Sequence, residues 1–178
     1  MVILDTSAYN DNISTIITSV SARDTSYAAT YWPWLQTIDP DTGRSVFVPA
    51  STMLPGVFAF NDNIAEPWFA PAGINRGSLP GVLRAERRLT QANRDTLYNN
   101  NLNPIATFPN SGVVVFGQKT TQKASTALDR VNVRRLLIAL KSFISQVADN
   151  LVFEQNTVAT RNNFLAQVNP YLASVQER

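Results

Sequence analysis

The sequence predicts a mixed α/β or α+β fold in which helices flank a central mixed sheet. Two short apolar runs, Val2–Asp5 and the glycine-bounded Gly112–Gly117, are typical of buried strands. Between them, strand-like segments alternate with segments of helical apolar spacing. Val131 to Ala148 is strongly apolar and contains no Gly or Pro, which predicts a long helix at about 129–149 that covers the sheet.

The first half of the chain predicts two helices and a hairpin. Ile13, Ile16, Ile17 and Val20 fall on one side of a helix over Asn10–Val20. Tyr27–Ile38 is aromatic and strand-like, and Pro33 within it implies a bulge or a sheet edge. The Asp, Pro and Gly of Asp39–Arg44 indicate a turn into a strand at Val46–Val48. Pro49 then opens a helix to roughly Phe60, which we expect to kink at Pro55.

The second half predicts a long loop followed by alternating elements. Pro and Gly are frequent in Glu66–Gly81, which indicates an ordered loop. Thr90 is positioned to cap a short helix after it. The remaining predicted elements are a strand at Val82–Leu89, a helix at Gln91–Tyr98, a strand at Leu151–Glu154 and a helix at Thr157–Val168.

The composition excludes several kinds of chemistry. The 178 residues include no Cys and no His, so there are no disulfides, thiolate metal sites or cysteine nucleophiles, and the usual general base is missing. No Walker, dinucleotide-binding or activated-serine pattern occurs. We therefore expect a protein that is not an enzyme and needs no cofactor or metal.

The middle of the chain is basic. Residues 1–75 carry a net charge of −5, residues 76–141 a net charge of +8, and residues 142–178 a net charge of −1. Such a segment could face nucleic acid, an acidic protein or anionic lipid, or form an ordinary solvated surface. No apolar run approaches the roughly 20 residues that span a bilayer, and the N-terminus lacks signal-peptide features. We expect an intracellular protein outside the membrane.

Several stretches, in order, resemble the tail sheath proteins of contractile-tailed bacteriophages. They are SYAATYWPWL (26–35), VPAS with the helix after it (48–62), EPWFAPAGINRG (66–77), LNPIATFPNSGVVVFGQKT (102–120) and DRVNVRRLLIALKSFI (129–144). The last two are the more specific, because a glycine-bounded strand ending in G-x-K-T precedes R-V-N-V-R-R-L at the start of a long helix. The resemblance covers about residues 26–164.

The resemblance implies a structural subunit of a virion tail. Such a subunit polymerises helically around a tail tube and contracts to drive the tube through the host envelope, and it is assembled in the host cytoplasm. The implied partners are other sheath subunits, the tube, and baseplate and terminator proteins, without membrane insertion or specific nucleic acid. A related contractile injection system, of the pyocin or type VI kind, is an alternative. A nucleic-acid-binding module using residues 76–141 is a further alternative.

We expect one sheath core domain over residues 1–178. It comprises an N-terminal strand and helix (1–25) and a sheath-like region (26–178) that lacks the usual C-terminal strands. Pro55 and Phe60 depart from the family pattern, which favours a small helix former and an Arg at these places.

A row of basic side chains is our candidate interface. At 100° per residue, Arg130, Arg134 and Lys141 fall within about 40° of one another on a helix. Together with Arg135 they are candidates to face an acidic tube or another subunit. The alternative is that Arg134 and Arg135 form internal salt bridges, with Asp129, Asp95 or Glu154 as their partners.

Overall fold

The computed structural model describes residues 1–6 and 9–177, and it contains seven strands and five helices within those ranges. The strands are β1 (Val2–Leu4), β2 (Ala28–Trp32), β3 (Leu35–Ile38), β4 (Ser45–Val48), β5 (Val82–Ala85), β6 (Asn103–Phe108) and β7 (Gly112–Val115). The helices are α1 (Ile13–Ser21), α2 (Ala50–Ile64), α3 (Gln91–Asn99), α4 (Val131–Asp149) and α5 (Val158–Gln176). The mixed α/β class predicted from the sequence is confirmed.

The strands form two sheets rather than one. In the first, ordered β1-β2-β6-β7, β2 runs parallel to β1 and β6, and β7 is antiparallel to β6. The second sheet is antiparallel, with the order β4-β3-β5. The single strand predicted over Tyr27–Ile38 is wrong, because the chain turns at the cis Trp32–Pro33 peptide and enters the second sheet as β3.

Two apolar clusters enclose β2, whose five residues are all buried. Successive strand side chains point to opposite faces, so Tyr31 and Trp32 enter different clusters. Tyr31 packs with Leu54 of α2, and Trp32 packs with side chains of α1 and α3. Helices therefore cover both faces of this strand, which explains why it has no polar alternation.

The cap and the hairpin are confirmed, and several boundaries differ. The Thr90 hydroxyl accepts a hydrogen bond from the Asn93 amide at 3.2 Å, as expected of a helix cap. The turn at Asp39–Arg44 joins β3 to β4. Helix α2 continues through Pro55 to Ile64, and α5 continues through Pro170 to Gln176.

One predicted strand is absent and one observed strand was not predicted. The predicted strand Leu151–Glu154 is wrong: these residues form turns after α4, and Phe153 there is fully exposed with φ +71°. This apolar run pairs with no described strand. Strand β6 was missed because Pro104 follows a run of Asn residues that indicates a loop. Proline is accepted there because it stands near the strand's start.

The chain divides into two compact units, residues 1–136 and residues 137–178. The first unit contains both sheets, helices α1 to α3 and the first turns of α4. The second contains the rest of α4 and α5, where the Phe143 and Tyr171 ring centroids lie 4.2 Å apart. The single domain that the sequence predicts over residues 1–178 stays a prediction. No described helix is long and apolar enough to cross a membrane.

Candidate interaction surfaces

Arg134, in the first turns of α4, points into the first unit. Arg134 is buried, with 8% of its surface exposed to solvent. One guanidinium nitrogen donates a hydrogen bond to the Ser26 hydroxyl, and the guanidinium carbon lies 4.1 Å from the centre of the Tyr27 ring. We considered an internal salt bridge for Arg134, but it forms no ion pair with a carboxylate among the described residues. The Ser26 hydroxyl and the Tyr27 ring are its partners instead.

Arg135 links α4 to α2 through an ion pair. Its Nη2 lies 2.6 Å from each carboxylate oxygen of Asp62, and its guanidinium carbon lies 4.9 Å from the centre of the Phe58 ring. The side chain of Arg135 is 12% exposed and that of Asp62 is 38% exposed. An internal salt bridge was one of the alternatives from the sequence, but its acidic partner is Asp62, from another helix.

Arg130 also has contacts within the first unit. Its Nε lies 3.0 Å from the Asp129 carboxylate, and an Nη1 hydrogen bond goes to the Tyr98 hydroxyl. Lys141 differs, because it lies in the second unit and is exposed, and no ion pair is found for it among residues 1–6 and 9–177. The helical spacing placed all four side chains on one helix, but it could not show that Arg134 is buried. Their role at an interface stays a prediction.

The G-x-K-T sequence at Gly117–Thr120 lies in the segment between β7 and α4, and we call these four residues the strap. Backbone hydrogen bonds join Thr120 to Asp129 and Val131 to Gln118. The Thr120 hydroxyl donates to the Leu128 carbonyl at 3.0 Å. These hydrogen bonds hold the motif against the start of the long helix.

A basic and aromatic surface that the sequence analysis missed lies beside this strap. We call it the Tyr98 patch and define it by Arg94, Tyr98, Phe116, Lys119 and Arg130. Lys119 Nζ lies 4.7 Å from the centre of the Tyr98 ring, and the Arg130 guanidinium carbon lies 5.8 Å from the same centre. Arg94 lies 5.8 Å from the Phe116 ring centre and 5.7 Å from the Phe108 ring centre.

The patch escaped detection because its members come from separate elements. The rings that Arg94 contacts belong to Phe108, at the end of β6, and to Phe116, which follows β7. The one local signal is the spacing of Arg94 and Tyr98, which are four residues apart and therefore share a face of α3.

A cavity of about 310 Å³ opens at the Tyr98 patch. It is lined by Gln91, Arg94, Asp95, Tyr98, Pro104 and Phe116. Phe116 is 45% exposed, although it packs against Phe108 with ring centroids 5.2 Å apart. The cavity thus presents apolar surface beside one cation, Arg94, and one carboxylate, Asp95.

The second unit has a larger, mainly apolar cavity of about 480 Å³ where α4 ends and α5 begins. Leu151, Phe164 and Leu165 contribute to its lining. Within the described residues, no group of three or more acidic, His or Cys side chains is arranged to hold a metal ion.

Comparison with known proteins agrees with the resemblance seen in the sequence. The family model for the phage tail sheath protein central domain matches residues 3–121. The tail sheath protein of Vibrio phage KVP40 is 37% identical over 153 residues, 86% of this chain and 23% of the relative. The tail sheath protein of Enterobacteria phage T4 is 32% identical over 165 residues, 93% of this chain and 24% of the relative.

Solved structures of contractile systems share the fold. The PVC sheath complex of an extracellular contractile injection system, in its contracted state, matches with a TM-score of 0.84 and 26% identity, over 98% of this chain and 48% of that one. The helical sheath of the anti-feeding prophage, also contracted, matches with a TM-score of 0.78 and 26% identity, over 98% of this chain and 45% of that one.

The chain spans about a quarter of the length of these phage relatives. Its match to the sheath central domain nevertheless extends over well over half of its own residues, so the chain belongs to the phage tail sheath protein family.

Proposed function

We propose that this chain is part of a tail sheath subunit that polymerises helically around a tail tube and contracts to drive the tube through the host envelope. The observation that carries the proposal is the likeness to the contracted PVC sheath, which extends over 98% of the chain with a TM-score of 0.84. A related contractile injection system is the second candidate, supported by the matches to the PVC and anti-feeding prophage sheaths.

The role we propose is mechanical rather than catalytic. A heterologous contact that does not close into a ring generates a helical array. Contraction would then be a rigid-body rearrangement between two discrete packings of subunits. No nucleotide is needed if the energy is stored in the difference between these packings, and the sequence contains no Walker motif.

The partners we propose are other sheath subunits, the tail tube, the baseplate and the tail terminator, within a virion tail assembled in the host cytoplasm. Association with a baseplate is supported by the fold likeness to a chain of the anti-feeding prophage baseplate in its contracted state, with a TM-score of 0.81 and 26% identity.

Among the four candidate interface residues, Lys141 is the one we assign to the tube. It is exposed, and no acidic side chain in the described part of the chain pairs with it. A single exposed cation forms a weak contact that can break on contraction. Arg130, Arg134 and Arg135 would contribute indirectly, by holding the start of α4 to Tyr98, Ser26 and Asp62.

Negative-stain electron microscopy of the purified chain at high concentration tests self-assembly. We expect hollow tubes or rings of uniform diameter. A monodisperse monomer at every concentration would contradict polymerisation by this chain.

Co-sedimentation with the cognate tail tube tests the assignment of Lys141. Lys141→Glu should reduce the bound fraction by roughly threefold, as expected for one exposed ion pair. The matched control is Lys123→Glu, which reverses an exposed charge in the first unit. An equal loss for both variants would indicate a nonspecific effect of net charge.

A further inference from the structure

We propose that the Tyr98 patch binds an acidic polypeptide segment that carries an apolar side chain next to its carboxylates. Nothing in the family match assigns a role to this surface. The inference concerns a binding site and does not depend on polymerisation or contraction.

The patch contains cations without acidic partners. Asp129 pairs with Arg130 at 3.0 Å. Neither Arg94 nor Lys119 forms an ion pair with a carboxylate in the part of the chain that the structure describes. Their contacts there are with aromatic rings and, for Arg94, with the Leu89 carbonyl at 3.4 Å. Guanidinium and ammonium groups retain free donors for a carboxylate in this arrangement.

The rings hold these cations in place. The Lys119 ammonium lies over the Tyr98 ring, and Arg130 donates a hydrogen bond to the Tyr98 hydroxyl. The Arg94 guanidinium contacts the rings of Phe108 and Phe116. A long basic side chain loses rotamer entropy when it binds a partner, and prior contact with a ring lowers that cost. The donors are therefore partly preorganised for a bound anion.

The cavity supplies the apolar part of the site. Tyr98, Pro104 and Phe116 line it together with Arg94. An aliphatic or aromatic side chain placed between them would cover the exposed Phe116 ring and exclude water from the adjacent ion pairs. Excluding water strengthens charge-assisted hydrogen bonds, so an acidic segment with an apolar residue should bind better than acid alone.

Single-stranded nucleic acid is the competing ligand for a basic and aromatic surface. It fits less well, because each ring of the patch already has a cation over it and offers less free face for a base. Asp95 also lines the cavity, and Asp129 lies next to Arg130, so phosphates would meet two negative groups. A protein segment can place its carboxylates at Arg94 and Lys119 alone.

Titration of the isotope-labelled chain by heteronuclear NMR, at a concentration below that at which tubes form, tests the proposal. The probe is a short blocked peptide of glutamates flanking one leucine. The comparison ligands are the same peptide with glutamine in place of glutamate and a single-stranded DNA oligonucleotide. We expect salt-sensitive shift changes centred on Tyr98, Phe116 and Lys119 with the acidic peptide, and none with the glutamine peptide.

Variants of the chain identify the binding groups. Arg94→Gln should weaken binding of the acidic peptide about tenfold, the loss expected for a charge-assisted hydrogen bond. Lys119→Gln provides a second variant if Arg94→Gln is poorly folded, and should weaken binding about threefold. The matched control is Arg88→Gln, an exposed cation outside the patch, which should change binding less than about twofold.

Three results would overturn the proposal. The first is a set of shift changes that lies outside the patch. The second is an equal loss of binding in the Arg94 and Arg88 variants, which would mean that net charge alone attracts the peptide. The third is tighter binding of the oligonucleotide at the same residues, which would assign the patch to nucleic acid. Because assembly is not measured, each result leaves the proposed sheath function untouched.

Discussion

The side-chain amide of Asn103 forms a reciprocal pair of hydrogen bonds with the backbone of Lys119. Its Oδ1 accepts from the Lys119 amide at 2.5 Å, and its Nδ2 donates to the Lys119 carbonyl at 2.7 Å. Nδ2 also donates to the Thr30 carbonyl at 3.1 Å, so one buried side chain joins β2, β6 and the strap before α4. This amide thus gives the backbone of Lys119 both an acceptor and a donor.

Replacing Asn103 should therefore be costly. Asn103→Ala removes three hydrogen bonds and leaves partly buried backbone groups of Lys119 without these partners, for which we expect a loss of about 2–4 kcal/mol in the free energy of unfolding. Denaturant melts would measure it. Asn100→Ala is the control, because the side chain of that residue is exposed and its amide donates to the Thr96 carbonyl, so stability should change by less than about 0.5 kcal/mol. Similar losses in both variants would contradict a special role for Asn103.

Gly117 has no room for a side chain. A Cβ there would lie 2.9 Å from Asn103 Oδ1, 2.9 Å from Pro104 Cδ and 3.0 Å from Asn103 Cα. Gly117→Ala should force the strap away from Asn103 and destabilise the chain by about 1–3 kcal/mol.

The matched control for this steric prediction is Gly56→Ala within α2. A Cβ at Gly56 meets nothing within 4 Å, and alanine is the better helix former, so stability should rise by up to about 1 kcal/mol. Thermal unfolding of both variants decides the point. A neutral Gly117→Ala would show that the strap adjusts without cost.

Tyr31 makes the stability of the fold sensitive to alkaline pH. Burial raises the pKa of the Tyr31 phenol well above its ordinary value, and the positive charge of Arg135 opposes this only in part. The folded chain thus holds the proton more tightly than the unfolded chain. Stability from this group is complete below about pH 10, the unfolded pKa, and is lost as the pH rises from there towards the folded pKa.

Tyr31→Phe should remove this part of the alkaline destabilisation. The buried hydroxyl has no hydrogen-bond partner among the described residues, so its loss at neutral pH should be neutral or slightly stabilising. Unfolding curves at neutral and alkaline pH measure both effects. An unchanged alkaline loss in Tyr31→Phe would assign it to the other tyrosines.

Local signals in the sequence were sufficient for the elements that depend on local physics. The cap at Thr90, the turn at Asp39–Arg44 and the long helix α4 each follow from neighbouring residues, and the structure contains all three. Strand β6 and the split of the predicted strand at Pro33 depend on which partner each strand finds. The partner of each strand is far away in the sequence, so the local apolar pattern cannot predict the pairing.

The same distinction explains the candidate surfaces. Helical spacing placed Arg130, Arg134 and Lys141 on one helix, but the burial of Arg134 is set by Ser26 and Tyr27, more than a hundred residues away in the chain. The Tyr98 patch depends in turn on the pairing of β6 with β7.

Charge reversal separates a structural arginine from an interface lysine on the same helix. Arg134→Glu would place a carboxylate in a buried position beside Ser26 and Tyr27. Among the described residues, Arg134 is the cation that contacts this hydroxyl and this ring, so the new carboxylate would have no cation there to pair with. An uncompensated buried charge costs about 3–5 kcal/mol, so we expect a large fall in melting temperature. Lys141→Glu alters an exposed site and should leave the melting temperature nearly unchanged. Equal melting temperatures for the two variants would show that Arg134 is free to face a partner, and α4 would then present the basic ridge that its spacing predicts.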